Sequence, residues 1–473
     1  MHSGANFLAY LALFCWPFVG IVLFFVLRPP IALAISILGA DLLLPSGLSI
    51  KFEMVPAIDK NTVGSLTALV GVIFSLRRIP TPLTSSGFAN LLLLGYFVSP
   101  FVTSILNGDP IYAADRVLPG VGLYDASSAF ISQFILFSPF LVGRQIFRST
   151  RDISDVLLVL VVAGALYSIL MLFEVRMSPQ LHYWIYGYYP SQFAQAIRGD
   201  GFRPMVFVGH GLLASFFLMT CLIAASAFWR LNIRTINLPP GIVAGYLGVV
   251  LLLCKSVGAF LYGFTLAPLV RWASPKAQIR VALTLAIIGL TYPVTRAFDL
   301  FPSKALVDIA STFSTDRAES LQFRFKNEDE LLAKASERFW FGWGRYGRNR
   351  VYNEYGDQSV TDGRWIITFG QFGAFGFICE FGLLAIPIFL AIGGLRHVGS
   401  RRAAVFFGAL VLIQAVRLID QLPNSSINPW AWLLSGALFG WIEASSHQAR
   451  CRKMARVDGS SNVRVSSSRM TEA

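Results

Sequence analysis

The chain has 473 residues, 55% of them hydrophobic and 14% charged, with a mean hydropathy of +0.60. A soluble chain of this length needs far more charged surface, so composition excludes a soluble globular protein and gives an integral membrane protein. The net charge of +13 is read as loop orientation and contact with anionic lipid, not as nucleic-acid binding.

Apolar stretches of about 17–25 residues, the length that crosses a bilayer as helix, recur along the chain. The first spans Phe7 to Leu27 and ends at Arg28-Pro29-Pro30. Because Arg28 follows that apolar run instead of preceding it, the segment does not read as a cleavable signal. Further segments are predicted at 31–44, 63–76, 88–106, 126–147 and 156–173, separated by a polar loop with Lys51, Glu53, Asp59 and Lys60, by Arg77-Arg78, by the turn Asn107-Gly108-Asp109-Pro110, and by Arg144, Arg148 and Arg151. An aromatic loop follows at 174–204, holding His182-Tyr183-Trp184-Ile185-Tyr186-Gly187-Tyr188-Tyr189, and such rings favour the headgroup level. Segments at 205–228, 242–253, 257–270 and 279–298 lead into the longest polar interlude, 299–364. The last three segments are expected at 366–395, 403–418 and 430–442.

The expected fold is therefore an all-α polytopic membrane protein of about 12–13 transmembrane helices. Residues 1–450 form one polytopic domain that includes the large loop 299–364, and 451–473 form a disordered tail. Basic clusters fall at alternate loops: Arg77-Arg78, Arg144 to Arg151, Arg230/Arg234, Arg271/Lys276/Arg280, Arg396/Arg401/Arg402 and Arg450 to Arg456. The positive-inside bias puts these, and the C-terminus, in the cytoplasm, and turns the loops at 45–60, 108–124, 174–204, 299–364 and 419–429 outward.

Within the large loop, Leu321, Phe325, Leu332, Ala335 and Phe339 mark one face of an amphipathic helix over 319–338, with Arg324, Glu328 and Lys334 off the stripe. Most of those charges read as a solvated face. Arg324, set between Phe323 and Phe325, is suited to grip a phosphate through its planar fork. Arg198 and Arg203 flank a glycine-containing stretch, Arg198-Gly199-Asp200-Gly201-Phe202-Arg203-Pro204, and outward arginines run against the positive-inside bias. His210 reads as a residue about one turn inside its segment, structural or ligand-binding. Lys255 either snorkels or faces the same outer cavity. Glu380 lies in an apolar run, where an ionisable group is costly, and Arg417 and Asp420 are spaced to pair with each other.

Gly342-Trp343-Gly344 lacks the strand and the lysine-serine pair of a phosphate loop. The five cysteines show neither a disulfide framework nor metal-ligand spacing. No cofactor or metal is expected.

Three of these stretches together make the chain resemble the O-antigen ligase/polymerase superfamily of bacterial envelope glycosyltransferases. Arg198 to Pro204 is similar to that family's Arg–Gly–Phe–Pro lead-in to a central helix. Cys254-Lys255-Ser256-Val257-Gly258-Ala259 looks like its serine–arginine–glycine–alanine segment, with Val257 where arginine is usual and Lys255 as the substitute. Arg324 through Gly344, then Gly370 to Gly382, resembles the signature loop and the glycine-rich helix after it. The resemblance covers roughly the second half of the chain. It departs where the family commonly has a histidine before that helix, because Thr361-Asp362-Gly363-Arg364 stands there and either Asp362 or Arg364 would take the histidine's part.

The resemblance implies a GT-C-like fold and an inverting, metal-independent transfer of glycan from undecaprenyl diphosphate to an acceptor hydroxyl on the periplasmic face of the inner membrane. It implies Arg203 and Arg324 as diphosphate ligands, Arg198, Lys255 and Arg364 as supporting cations, and Asp362 as base. His210 joins the substrate-binding set, and Trp184 and Tyr186 would stack on sugars. The expected partners are the lipid-linked glycan donor, the glycan acceptor and membrane lipids, with a chain-length regulator or flippase alongside. Polymerisation of repeat units is the first reading. Ligation of finished glycan to a lipid or protein acceptor is the close alternative, and an anionic-solute transporter is the alternative from another class.

Overall fold

The computed structural model describes residues 4–468 apart from 53, 54, 78, 114, 115, 200 and 314. Glu53, Arg78 and Asp200, named above, lie outside the described residues, as do 469–473.

The helices are α1 (Phe7–Val26), α2 (Pro29–Leu43), α3 (Lys60–Leu76), α4 (Gly87–Ile105), α5 (Leu123–Ile146), α6 (Thr150–Met177), the short α7 (Leu181–Tyr186), α8 (Gly211–Leu231), α9 (Pro240–Leu253) and α10 (Val257–Trp272). They continue as α11 (Pro275–Ala297), α12 (Ser303–Phe313), α13 (Thr315–Ser336), α14 (Arg364–Leu395), α15 (Arg401–Asp420) and α16 (Pro429–Ser468). Among the described residues eight helices are long and apolar enough to cross a membrane, and α2, α3, α9 and α10 are shorter apolar helices. The chain is thus an all-α polytopic membrane protein. Among the described residues the strands form three short antiparallel pairs, 50–52 with 55–58, 111–113 with 116–118, and 197–198 with 201–202.

Successive long helices run between two ends of the bundle. At one end Asn6 reaches the backbone of Ile185 and Tyr186, Asn107 donates to the Gly342 carbonyl, and Arg296 pairs with Glu328. This is the loop end. At the other, Arg28 pairs with Asp155, Arg144 with Glu443, and Arg230 donates to the Val270 carbonyl. The arginine-rich connections gather here, at the basic end.

Local chemistry sets the boundaries. Asn6, Asp59, Ser86, Ser149, Ser274 and Ser400 each accept an amide hydrogen at a helix start, which satisfies otherwise orphaned donors. The segment expected from Met205 begins as helix only at Gly211. Glu174, buried near the end of α6, accepts from the amides of Met205 and Val206 at 2.8 Å each and from Leu181 at 3.1 Å. Its carboxylate holds 205–206 in a turn, with Val206 at φ 50°, and apolar content alone does not reveal such a clamp.

The α14 helix is broken. Gly373 has φ 67° and ψ −168°, and the loop before α14 supplies the lost hydrogen bonds. Ala374 and Phe375 donate to the carbonyls of Phe339 and Trp340, while Trp343 and Gly344 donate to those of Gly370 and Gln371, all at 2.8–3.1 Å. Gly342-Trp343-Gly344 is therefore a strap bound across the break.

In α13 the buried apolar side chains among the described residues are Ala318, Leu331, Leu332 and Ala335. Phe339 falls beyond the helix and is exposed. α16 stays helical to Ser468, through the stretch whose composition reads as a disordered tail; helix-favouring Ala, Arg, Lys and Met over 449–456 continue the preceding turns.

Candidate functional site

Arg203 sits between the 197–202 hairpin and α8, with its aliphatic stem laid across Gly211, where a Cβ would stand 2.4 Å from its Cδ. Its guanidinium donates to the Lys255 carbonyl at 3.3 Å, and its Nε is buried without a hydrogen-bond partner. Burial, then repulsion from Arg198 and Arg324, lowers the Arg203 pKa to about 10. Lys255 holds a left-handed backbone at φ 50° between α9 and α10, and its ammonium donates to the Arg198 carbonyl at 3.1 Å. The cation on the 254–256 turn therefore ties down the hairpin that carries Arg198.

His210 is not inside the helix. It is the residue that caps α8, with Nδ1 taking the Leu212 amide at 3.2 Å and Nε2 standing 3.3 Å from the Gln195 side-chain oxygen. Since Nδ1 accepts, the neutral ring carries its proton on Nε2. Burial lowers the His210 pKa, the fields of Arg203, Arg324 and Arg198 lower it further, and Asp362 opposes them. Charges from the hairpin stretch, from α13 and from the loop before α14 thus all reach His210.

Arg324, on α13, pairs with Asp362 at 3.3 Å and donates to the Pro423 carbonyl at 3.4 Å. Both side chains are about one-third exposed. They stand at the rim of a cavity of about 310 Å³ lined mostly by apolar groups, among them Tyr262 of α10, Ile288 and Tyr292 of α11, Phe325 of α13 and Leu422. Most of its lining comes from α13, from residues 360–366 at the start of α14 and from residues 419–423 at the end of α15, with α11 and Tyr262 of α10 adding to it.

Glu328 lines the same cavity. It was expected on a solvated face, but its carboxylate takes Arg296 Nε and the Tyr292 hydroxyl at 3.0 Å and Trp365 Nε1 at 2.7 Å. Burial raises its pKa against the pull of Arg296. Glu328 therefore fastens α13 to α11 and α14 and fixes where Arg324, one turn earlier, projects.

No protein-family model matches the chain, and no curated protein matches it. The residues themselves carry the functional argument.

Two of the candidate ligands, Arg364 and Tyr186, are placed elsewhere. Arg364 turns inward and pairs with Glu380 at 2.6 Å, with Thr368 donating to the same carboxylate at 2.5 Å. This pair spans the Gly373 break. Tyr186 is 6% exposed, its hydroxyl bound to the Leu43 carbonyl, so its ring offers no face for stacking. Trp184 remains the open ring, 55% exposed, with its edge contact to Phe173. Arg417 and Asp420 do not form the expected ion pair. Asp420 accepts from Asn424 and Ser426 instead, and Arg417 Nε has no partner.

The arrangement concentrates positive charge. Arg198, Arg203 and Arg324 act on His210, Lys255 is tied to the Arg198 carbonyl, and Asp362 pairs with Arg324. Such a group is complementary to a multiply charged oxyanion, and the adjoining cavity to an apolar tail. Sequence reasoning missed Gln195 and Glu328, which position rather than advertise themselves. It singled out the arginines because they interrupt an apolar chain.

Proposed function

We propose that this chain is a glycosyltransferase that polymerises undecaprenyl-diphosphate-linked oligosaccharide repeat units on the periplasmic face of a bacterial inner membrane. The observation that carries the reading is the convergence of Arg198, Arg203 and Arg324 around His210, with Asp362 beside Arg324 at the rim of an apolar cavity. The cations suit a diphosphate leaving group, and the cavity suits part of a polyprenyl chain.

In this reading the acceptor hydroxyl oxygen attacks the anomeric carbon of the donor sugar, and the bond from that carbon to the diphosphate oxygen breaks. Undecaprenyl diphosphate leaves with the electron pair. Arg203 and Arg324 stabilise the charge that grows on it, the effect expected of preorganised donors in a site shielded from water. His210, neutral and protonated on Nε2, adds a donor without adding charge. Asp362 takes the hydroxyl proton. Its present partner is Arg324, so a diphosphate that draws Arg324 away releases the carboxylate for that task. Trp184 offers an exposed ring to the glycan.

The test compares a deletion strain with strains carrying Arg203→Lys, Arg324→Lys or Asp362→Asn, and analyses their lipid-linked intermediates. Single repeats accumulating on the carrier, with extracellular polymer lost, is the expected result. Lysine keeps the charge and removes the planar fork, so a fall of about 10²-fold or more in polymer is expected for each arginine. Normal polymer in both arginine variants would overturn the assignment. Long chains retained on the carrier would make the activity ligation.

A further inference from the structure

A second polar cluster lies at the loop end on another flank of α8, and no step above uses it. Arg417, in the last turn of α15, is 6% exposed, its Nε lacks a hydrogen-bond partner, and its guanidinium lies 5.3 Å over the Phe216 ring. An arginine buried in a membrane domain without hydrogen bonds is costly. The acidic groups whose fields reach it are Asp41 and then Asp420.

Both carboxylates already have partners. Asp41 binds Lys60 Nζ at 3.1 Å and Asn428 Nδ2 at 2.8 Å, one on each oxygen. Asp420 takes Asn424 and Ser426 in the same way, at 2.9 and 3.0 Å. Each oxygen keeps a lone pair. Lys60 spends its three hydrogens on Asp41 Oδ1, the Asp41 carbonyl and the Val208 carbonyl. Arg417 Nε is an unused donor, and the unused acceptors are the second lone pairs of the carboxylates. Two cations and two carboxylates sum to no formal charge, so an oxyanion here would meet two like charges. Adjacent sugar hydroxyls suit the cluster better, because each accepts and donates at once.

We propose that Arg417, Asp41 and Asp420 form a saccharide subsite for the acceptor glycan, in which hydroxyl oxygens accept from Arg417 and their hydrogens go to the two carboxylates. This rests on the glycosyl-transfer reading above. Lys60 and Asn428 are positioning residues that hold Asp41. The Lys60 bond to Val208 and the seat of Phe216 on α8 set the cluster beside the stretch that carries Arg203 and His210.

The test uses the full chain in lipid nanodiscs, with lipid-linked repeat units purified from the deletion strain as substrate and undecaprenyl diphosphate as a separate binding probe. Arg417→Met leaves the buried Asp420 without a nearby cation, so its melting temperature is expected to fall. Its KM for repeat units should rise at least tenfold, with undecaprenyl diphosphate affinity unaltered. Arg203→Lys should instead weaken the diphosphate probe. If Arg417→Met fails to fold, Arg417→Lys, which keeps the charge and loses the fork, should raise KM at least fivefold. An unchanged KM in whichever of these folds overturns the subsite. If wild-type protein extends repeat units and Arg203→Lys does not, while the Arg417 variants extend them normally, the subsite alone fails. Wild-type protein that neither extends repeat units nor binds the probe refutes the glycosyl-transfer reading itself.

Discussion

His210 shows how far one side chain is defined by its backbone address. The apolar run beginning at Met205 suggests a helical histidine, yet Val206 and Gly209 take left-handed conformations and leave His210 to cap α8. Its pKa is lowered from an ordinary value of 6.5, by burial first and by Arg203, Arg324 and Arg198 next. As pH falls through that ordinary value, the unfolded chain takes up a proton before the folded one does. Stability is therefore lost on acidification from about pH 7 toward the lowered folded pKa. His210→Asn, which keeps a capping side chain, should flatten the melting temperature between pH 7 and pH 5 relative to wild type. Melting curves across that range check the slope, and parallel curves would remove the charge argument at this position.

At the scale of elements, the sequence was most legible where a single property decides. Each of the thirteen apolar segments carries a helix, because apolar length suffices to mark them, with the widest departures in bounds at the starts of α6 and α8 and at the end of α16. The break in α14 was not legible. Nothing in Gly370 to Gly382 distinguishes the glycine with φ 67° from its neighbours, since the break depends on a strap thirty residues upstream. A Cβ at Gly373 would stand 2.2 Å from the Trp340 carbonyl carbon, and one at Gly342 would stand 2.6 Å from that of Gln371. Gly373→Ala and Gly342→Ala should each cost at least about 1–3 kcal/mol through the left-handed backbone alone, read as a fall in melting temperature in detergent. The Arg364–Glu380 pair closes the same break from inside. Removing one partner, as in Glu380→Gln or Arg364→Met, leaves a charge in an apolar setting and should cost about 3–5 kcal/mol. The double variant should recover part of that loss, since it leaves no buried charge behind. Arg364 could not be separated from Arg324 by sequence because both belong to the same polar interlude. Only the inward turn at the start of α14 separates Arg364, paired with Glu380, from Arg324, paired with Asp362.

Across the whole molecule, charge is sorted by end. The basic end carries Arg77, Arg148, Arg234, Lys276, Arg396 and Arg401 on its connections, whereas the loop end balances its cations with Asp109, Glu328, Asp362 and Asp420. The bias that orients membrane proteins counts lysine and arginine near helix ends, not net charge, so the basic end is expected in the cytoplasm. Alternation then requires the N-terminal Asn6, tied to α7, to share the outer side with the loop 298–363. Cysteine labelling tests this in intact cells. The exposed native thiols Cys15 and Cys451 are first replaced by serine, and Cys221, Cys254 and Cys379 are buried. In that background Tyr355→Cys, at a residue 89% exposed in the large loop, should react with a reagent that does not cross the inner membrane. Gly399→Cys, between α14 and α15, should react only after permeabilisation. The opposite pattern would put the arginine cluster on the cytoplasmic face, where a lipid-linked repeat unit awaiting polymerisation outside would never meet it.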